Sequence, residues 1–199
     1  LADLRPFLVM ELLPWPSLRL LLGEGAMAPA RAANLLAQAA DGLAALHELN
    51  IVHRDLKPSN LLVGPGDRVK LIDLGLSKRP GEPDDDEVSL PGLVLGTPDY
   101  MAPEQRRGED VDVRSDQYAL GCVLFEVLSG VRLSRGSSRP DGSGGVAVDH
   151  DEPPPLWRLR DVPEELLAVL HRTLADDPAA RFPSIREVAA ALRACARAT

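Results

Sequence analysis

The 199-residue sequence lacks the features that would point to a membrane, a disulfide scaffold or a nucleic acid. It holds no apolar run of about eighteen residues, so we expect no membrane-spanning segment. Its two cysteines, Cys122 and Cys195, have no metal-ligand spacing, and buried free thiols are favoured over a disulfide, which suits a cytoplasmic protein. Acidic residues outnumber basic ones by 30 to 22, and the net charge of −8 argues against broad nucleic-acid binding.

The beginning of the chain also lacks the charged and apolar regions of a secretory signal. The first residue is Leu1, and two explanations stay open: a reading frame that begins upstream, or an alternative start codon. The composition, 45% hydrophobic and 26% charged, is ordinary for a soluble globular protein. A chain of this length can bury a sizeable core without metals or disulfides.

Hydrophobic patterning predicts a strand, a helix and a small β-ribbon in the first 73 residues. A short apolar run predicts a buried strand over residues 7–13. An apolar stripe that includes Leu46 and Leu49 predicts a helix over residues 29–49. The runs "NLLV" and "RVKLID", separated by the turn formers "GPGD", predict a β-ribbon that ends near Asp73.

The chain after residue 74 is predicted to hold three helices and two loops. The helices are expected over residues 115–130, 163–174 and 183–196. Ser115 or Asp116 is a suitable cap for the first, which is the most apolar and should lie centrally; Ser184 and Glu187 predict a capping box for the last. Residues 75–98 carry an acidic run and predict a solvated loop, and residues 134–155, rich in Gly, Ser and Pro, predict a flexible connection.

The stretch "IVHRDLKPSN", residues 51–60, places acidic, basic and amide side chains within a few positions. Phosphoryl transfer to a hydroxyl needs a carboxylate to take the proton, cations to absorb phosphate charge and oxygen ligands for Mg²⁺. Asp55 can serve as the base, Lys57 as the cation, and Asn60 with Asp73 as the hard metal ligands. Each residue alone is more often a turn or cap residue, but the joint pattern favours the catalytic interpretation.

Four motifs in one order resemble the eukaryotic-type serine/threonine protein kinases in their bacterial form. "HRDLKPSN" resembles the catalytic loop, "DLG" the metal-binding DFG motif, "GTPDYMAPEQ" the end of the activation segment and "SDQYALG" the central helix of the large lobe. The resemblance covers nearly the whole chain. It implies an α+β, mainly α-helical, protein kinase-like fold with a large C-lobe and an incomplete N-lobe. Residues 1–16 would be the last N-lobe strand and the hinge, and residues 17–199 the C-lobe.

The resemblance implies that ATP and Mg²⁺ are the cofactors and that protein Ser or Thr is the substrate. Asp55 would be the catalytic base, Lys57 the contact to the γ-phosphate, and Asn60 and Asp73 the magnesium ligands. Thr97 is expected to hydrogen-bond the catalytic loop, with a role as phosphorylation site as the alternative. Lys57 further favours Ser or Thr over Tyr as the acceptor.

The adenine site and the regulatory residues follow from the same resemblance. Glu11 and Leu13 match hinge positions whose backbone meets adenine, and Leu62 would press on the lower face of the ring. Arg54 would receive an activation-loop phosphate, because a guanidinium pairs well with phosphate, and Ser89 is one candidate acceptor.

Other positions are expected to be structural. Asp116 would hold the backbone of the catalytic loop, and Glu104 would form a buried ion pair with Arg181, with two surface charges as the alternative. His53 is expected to be a packed, hydrogen-bonded core histidine and not a metal ligand. Leu74, which replaces the Phe of the DFG motif, would stack on His53.

The resemblance also implies elements that these 199 residues do not contain: a Gly-rich loop, a strand Lys and a helical Glu that positions it. We therefore expect a serine/threonine kinase domain that is inactive as an isolated fragment, with a catalytically dead binding or scaffold module as the alternative. An aminoglycoside-type phosphotransferase would not explain "GTPDYMAPEQ". A partner could cover the surface that would face an N-lobe, and the parent protein could be anchored in a membrane.

Overall fold

A computed structural model describes residues 9–73, 98–135, 146–148, 159 and 161–198. Six helices and four short strands lie in these residues, in the order α1 (Leu18–Leu21), α2 (Pro29–Glu48), β1 (Leu61–Gly64), β2 (Arg68–Leu71), α3 (Pro103–Arg107), α4 (Arg114–Ser129), β3 (Leu133–Arg135), β4 (Val146–Val148), α5 (Glu164–Thr173) and α6 (Ile185–Ala198). Short 3₁₀ turns lie between several of them, including Pro58–Asn60 and Pro65–Asp67. The architecture is α+β and mainly helical, as predicted.

Helix α4 is the centre of the core. All of its residues from Ser115 to Leu128 are buried, and a helix that is apolar around most of its circumference must be enclosed by other elements. It ends at Gly130, whose φ of 71° suits glycine and whose N–H donates to the carbonyl of Glu126 at 2.8 Å. The predicted central position and the predicted end are confirmed.

The start of α4 corrects one prediction. Asp112, not Ser115 or Asp116, supplies the side-chain bond at the start, because its Oδ1 accepts from the Arg114 N–H at 2.7 Å. Ser115 and Asp116 are buried inside the first turn. Their side chains are used in contacts to other elements, so the local capping preference is overridden.

Helix α2 packs its apolar stripe against α4 and α6, but the stripe ends earlier than predicted. Leu35, Leu36 and Leu43 are almost completely buried. Leu49, predicted to point inward, lies at the C-terminal cap and is 63% exposed. The chain leaves the helix at Asn50, whose φ of 55° ends the 3.6-residue repeat.

The two C-terminal helices lie within two residues of their predicted bounds. In α5, Leu166 and Leu170 are buried while Leu167 is half-buried. Before α6, the Ser184 hydroxyl accepts from the Glu187 N–H at 3.3 Å, which confirms the Ser184 half of the capping box. Cys122 and Cys195 are both buried thiols that form no disulfide, as expected.

Two small sheets complete the described structure. β1 and β2 form the predicted antiparallel ribbon, with Leu61 opposite Leu71 and Gly64 opposite Arg68. β3 and β4 pair in parallel, so two short pieces of the predicted flexible connection at 134–155 are regular. The rest of that connection, and most of the predicted loop at 75–98, lie outside the described residues.

The strand predicted for residues 7–13 is not found in its described part. Residues 9–16 have no regular structure, and Val9, Met10 and Leu12 are 82%, 65% and 91% exposed. An apolar run becomes a buried strand only where a neighbouring strand accepts its backbone, and in the described residues the first β-type pairing of this segment is the bridge from Ser17 to Leu62.

No helix among the described residues is both long and apolar enough to cross a membrane.

Candidate active site

The loop that carries Asp55 is held in place by a carboxylate of the central helix. Asp116 Oδ2 accepts the His53 N–H at 2.9 Å, and Oδ1 accepts the Arg54 N–H at 3.0 Å. Its Oδ2 also lies 2.8 Å from Nε2 of His47 on α2. Arg54 has a left-handed φ of 67°, a conformation that surrounding contacts must maintain in a non-glycine residue. The predicted role of Asp116 as the support of this loop is confirmed.

Within the loop, three polar side chains meet at Asp55. Lys57 Nζ lies 2.5 Å from Asp55 Oδ2. Asn60 Nδ2 donates to the Asp55 carbonyl at 2.9 Å and lies 3.4 Å from Asp55 Oδ2. His53 is fully buried, and its Nδ1 accepts from the Asp55 N–H at 3.3 Å. The prediction of a packed, hydrogen-bonded core histidine is confirmed.

The β-ribbon brings Asp73 to this loop. Asn60 directly precedes β1, and its carbonyl accepts the Ile72 N–H at 2.9 Å just beyond the pairing of Leu61 with Leu71. Asp73 directly follows Ile72, so its backbone lies next to the backbone bond that joins the end of the ribbon to Asn60. Its φ of 67° is left-handed, so the chain turns sharply at this point.

The segment predicted to be the hinge, within residues 9–16, lies beside β1. The Val63 N–H donates to the Pro16 carbonyl at 2.9 Å, and Leu62 is paired with Lys70. Lys70 Nζ in turn lies 3.3 Å from Glu11 Oε2. The structure thus brings Glu11 and Leu62 to the same level of the ribbon, while Leu13 is half-buried in the connecting segment.

Two predicted residues of the site, Thr97 and Leu74, lie outside the described residues. Ser89 lies outside them as well, so all three remain sequence predictions.

Helix α3 is fixed beneath the loop by a buried ion pair. Arg181 Nη1 and Nη2 donate to the two carboxylate oxygens of Glu104 at 2.7 and 2.9 Å, and the two side chains are 0% and 5% exposed. Burial opposes the ionisation of Glu104, but the hydrogen bonds from Arg181 and Ser115 outweigh it, so the pKa of Glu104 lies below its ordinary value. Gln105 Nε2 then donates to the Arg54 carbonyl at 3.3 Å. The buried pair is confirmed, and the interpretation as two surface charges is wrong.

One cluster of polar groups escaped the sequence analysis. Arg19 donates to both oxygens of Glu126, at 2.7 and 3.1 Å, and to the Tyr100 hydroxyl at 2.5 Å. The Tyr100 hydroxyl donates to Glu126 Oε2 at 2.6 Å, and Arg132 pairs with Asp99 at 3.1 Å. Burial, and next the negative charge of Glu126, raise the pKa of Tyr100 far above its ordinary value. The hydrogen-bonded partners in this cluster are 26 to 107 positions apart, so no local pattern could have revealed it.

The donor set of Asn60 and Asp73 fits a hard divalent cation. The Asn60 amide nitrogen donates to the Asp55 carbonyl, so the amide oxygen is the atom of this side chain that suits a metal ion. Mg²⁺ typically takes one or two protein oxygens together with phosphate and water. No group of three or more His, Cys, Asp or Glu suited to a metal is found in the described part of the chain.

Residues 3–191 match the protein kinase domain family, and the chain belongs to that family. Among the curated relatives, serine/threonine-protein kinase PknB of Mycolicibacterium smegmatis is 38% identical over 188 residues, and PknB of Mycobacterium tuberculosis is 37% identical over 188 residues. Serine/threonine-protein kinase pkn2 of Myxococcus xanthus is 41% identical over 196 residues.

Each of these alignments covers 94% of this chain but only 30%, 30% and 23% of the respective relative. The chain thus spans less than a third of the length of these relatives. The predicted family and fold are confirmed, whereas the division into hinge and C-lobe at residue 16 stays a prediction.

Proposed function

We propose that this chain is the catalytic lobe of a serine/threonine protein kinase, which transfers the γ-phosphate of ATP to a protein Ser or Thr hydroxyl. The observation that carries the proposal is the group around Asp55, in which Lys57, Asn60 and the exit of the β-ribbon converge. The four motifs in their kinase-like order, and the match to the protein kinase domain family, support the same assignment.

Asp55 is the residue that orients the acceptor hydroxyl and takes its proton. The His53 N–H and Arg54 N–H bonds to Asp116 fix the backbone beside it, and Asn60 fixes its carbonyl. Such preorganisation aligns the hydroxyl oxygen with the phosphorus before the transfer begins. Lys57 Nζ lies 2.5 Å from Asp55 Oδ2 and is close enough to the base to contact the transferred phosphoryl group.

Asn60 and Asp73 are the proposed ligands of Mg²⁺. When bound, the metal neutralises phosphate oxygens and offsets the charge that develops in the transition state. The chain's own contribution is to hold an amide oxygen and a carboxylate at adjacent positions, through the Ile72 to Asn60 backbone bond. ATP is then the substrate whose adenine meets the hinge backbone at Glu11 and Leu13 and the side chain of Leu62.

Regulation and location belong to the same proposal. Arg54 is the candidate receptor of an activation-segment phosphate, and Thr97 the candidate hydrogen-bond partner of the catalytic loop. A protein Ser/Thr kinase of this kind acts on cytoplasmic substrates, and the parent protein can be membrane-anchored outside these residues.

The test is transfer of labelled phosphate from [γ-³³P]ATP to a Ser-containing and a Tyr-containing peptide by the protein that the complete gene encodes. We expect label on the Ser peptide, and we expect a chelator that removes Mg²⁺ to abolish it. Asp73→Asn should need a Mg²⁺ concentration at least about tenfold higher than wild type for half-maximal transfer. Glu109→Gln, an exposed residue paired with Arg107 at 3.6 Å, is the control and should behave as wild type. Label on the Tyr peptide alone, or an unchanged Mg²⁺ requirement in Asp73→Asn, would exclude the proposal.

The 199 residues by themselves are expected to transfer little phosphate, because they contain no Gly-rich loop or strand Lys to hold the triphosphate. Translation of the DNA upstream of the Leu1 codon, in frame for about a hundred residues, shows whether those elements are encoded. A G-x-G-x-x-G motif with a strand Lys and a helical Glu would support the kinase, and a stop codon would exclude it for this chain.

A second candidate function, a kinase-like binding module without transferase activity, is favoured by one observation. Val9, Met10 and Leu12 form an exposed apolar strip, and Leu20 is 68% exposed. Apolar strips of this kind usually contact another protein surface. Retention of a partner on this strip by a full-length protein that transfers no phosphate would favour this function over the first.

A further inference from the structure

The β-ribbon that delivers Asp73 has two edges, and each edge is tied to another element at the same level. On the β1 edge, the Val63 N–H donates to the Pro16 carbonyl at 2.9 Å. On the β2 edge, the Val69 N–H donates to Oε1 of Gln38 at 3.1 Å. Val63 and Val69 are cross-strand partners. The side chain of Gln38 therefore takes the place that a third strand would have beside β2.

Gln38 uses both ends of its amide on the ribbon. While Oε1 accepts from Val69, Nε2 donates to the Asp67 carbonyl at 2.8 Å, and it also lies 3.5 Å from the Asn34 carbonyl. The side chain is half-buried. Loss of the amide would leave the Val69 N–H and the Asp67 carbonyl without these hydrogen-bond partners. Partly buried backbone groups that lack a hydrogen bond lower the free energy of unfolding.

The same face of α2 contacts β2 one helical turn further on. Gly42 follows Gln38 by four residues and so lies on the same side of the helix. A Cβ at Gly42 would stand 3.5 Å from the Leu71 Cβ, so the helix backbone approaches β2 closely at its last residue. Ile72 and Asp73 follow directly, and the Ile72 N–H reaches the Asn60 carbonyl at 2.9 Å.

We propose that Gln38 is a positioning residue, which holds β2 against α2 so that Asp73 leaves the ribbon beside Asn60. That Asn60 and Asp73 bind Mg²⁺ rests on the function proposed above. That Gln38 fixes the position of Asp73 at the end of β2 does not. Gln38 touches neither substrate nor metal and acts only through Val69 and the strand that continues to Asp73.

Three variants separate this role from general stability. Gln38→Met keeps the length of the side chain and removes both hydrogen-bonding groups. Gln38→Glu keeps an acceptor for the Val69 N–H and loses the donor to Asp67. Arg31→Gln is the matched control, because Arg31 lies on the same face of α2 and pairs with the Asp67 carboxylate at 2.9 Å, in the turn that precedes β2.

The first measurement is amide hydrogen exchange of the 199-residue chain and its variants. In Gln38→Met we expect the Ile72 amide to exchange at least about tenfold faster, while amides of α4 stay within about twofold of wild type. Gln38→Glu should lie between Gln38→Met and wild type, and Arg31→Gln should leave Ile72 within about twofold. Unchanged Ile72 exchange in Gln38→Met, or an equal acceleration throughout α4, would overturn the proposal.

The second measurement is the Mn²⁺ concentration that broadens the NMR signals of the Asn60 side-chain amide and the Asp73 backbone amide. Wild type and Arg31→Gln should respond alike, and Gln38→Met should need several-fold more Mn²⁺. An unchanged Mn²⁺ response in Gln38→Met also counts against the proposal. If wild type shows no broadening at these residues, the metal assignment of the proposed function fails, and the Ile72 exchange alone decides the role of Gln38.

Discussion

The buried pair of Glu104 and Arg181 makes a quantitative prediction for the variant Glu104→Gln. In the structure, Arg181 donates to both carboxylate oxygens of Glu104, at 2.7 and 2.9 Å, and to the carbonyls of Arg114 and Ala175, both at 2.9 Å. A glutamine keeps one acceptor oxygen but loses the second and the negative charge. Arg181, whose side chain is 0% exposed, then stays buried with its charge uncompensated.

The expected loss in the free energy of unfolding follows from these contacts. One charge-assisted hydrogen bond contributes about 1.5–3 kcal/mol, and breaking a buried pair costs about 3–5 kcal/mol in total. Because one bond and the carbonyl acceptors remain, we expect about 3 kcal/mol for Glu104→Gln. Glu109→Gln makes the same chemical change in an ion pair that is about half exposed on both sides and should cost less than about 0.5 kcal/mol.

The assay is urea unfolding of the 199-residue chain at neutral pH, followed by circular dichroism, together with a double-mutant cycle that includes Arg181→Met. A loss below about 1 kcal/mol for Glu104→Gln would refute the argument that the charge of Arg181 depends on this partner.

The same pair predicts a dependence of stability on pH. The pKa of Glu104 is lower in the folded chain than its ordinary value near 4.5, so the unfolded chain binds the proton more readily. The contribution is complete above the unfolded pKa and is lost as the pH falls through the folded pKa. Glu104→Gln should therefore lose less stability than wild type on acidification below about pH 4.5.

Three further variants test the core and the loop supports. Gly121→Ala places a Cβ 2.6 Å from the Thr173 hydroxyl oxygen, and urea unfolding should show a loss of about 1–3 kcal/mol that Thr173→Ala partly restores. Asp116→Asn removes a carboxylate oxygen that accepts a catalytic-loop N–H, so the transfer rate should fall at least about tenfold, with a lower urea midpoint. The raised pKa of Tyr100 means that above about pH 10 the folded chain keeps the phenol proton while the unfolded chain loses it. The free energy of unfolding should therefore fall as the pH rises above about 10, and it should fall less in Tyr100→Phe. The difference absorbance at 295 nm should show no ionisation of Tyr100 before the chain unfolds.

The helices and the ribbon were predictable because their signals are local. The apolar stripe of α2 and the two apolar runs around Pro65–Asp67 need only near neighbours to be recognised. The exposed segment at residues 9–13 was mispredicted for the opposite reason, since an apolar run does not reveal whether a neighbouring strand exists.

The site was predictable where a motif carries it and not where distant residues build it. Asp55, Lys57 and Asn60 lie in one loop, and their contacts with one another follow from sequence proximity. Gln38 is 29 and 31 positions from its ribbon partners, and on a helix a polar residue between apolar ones looks like an ordinary surface position. Asp116 shows the intermediate case: its local pattern suggested a cap, which was wrong, whereas the family resemblance predicted its contact with the loop that carries Asp55, which is confirmed.

The most direct test of the central claim compares wild type with Asp55→Asn in the protein that the complete gene encodes, by steady-state phosphate transfer to a Ser peptide. The variant keeps the shape of the side chain and removes the proposed base, so kcat should fall by about 10²-fold or more while the KM for ATP changes by less than about threefold. The Glu109→Gln control should match wild type. An Asp55→Asn enzyme with wild-type kcat would contradict the account, because the proton of the acceptor hydroxyl would then leave by another route.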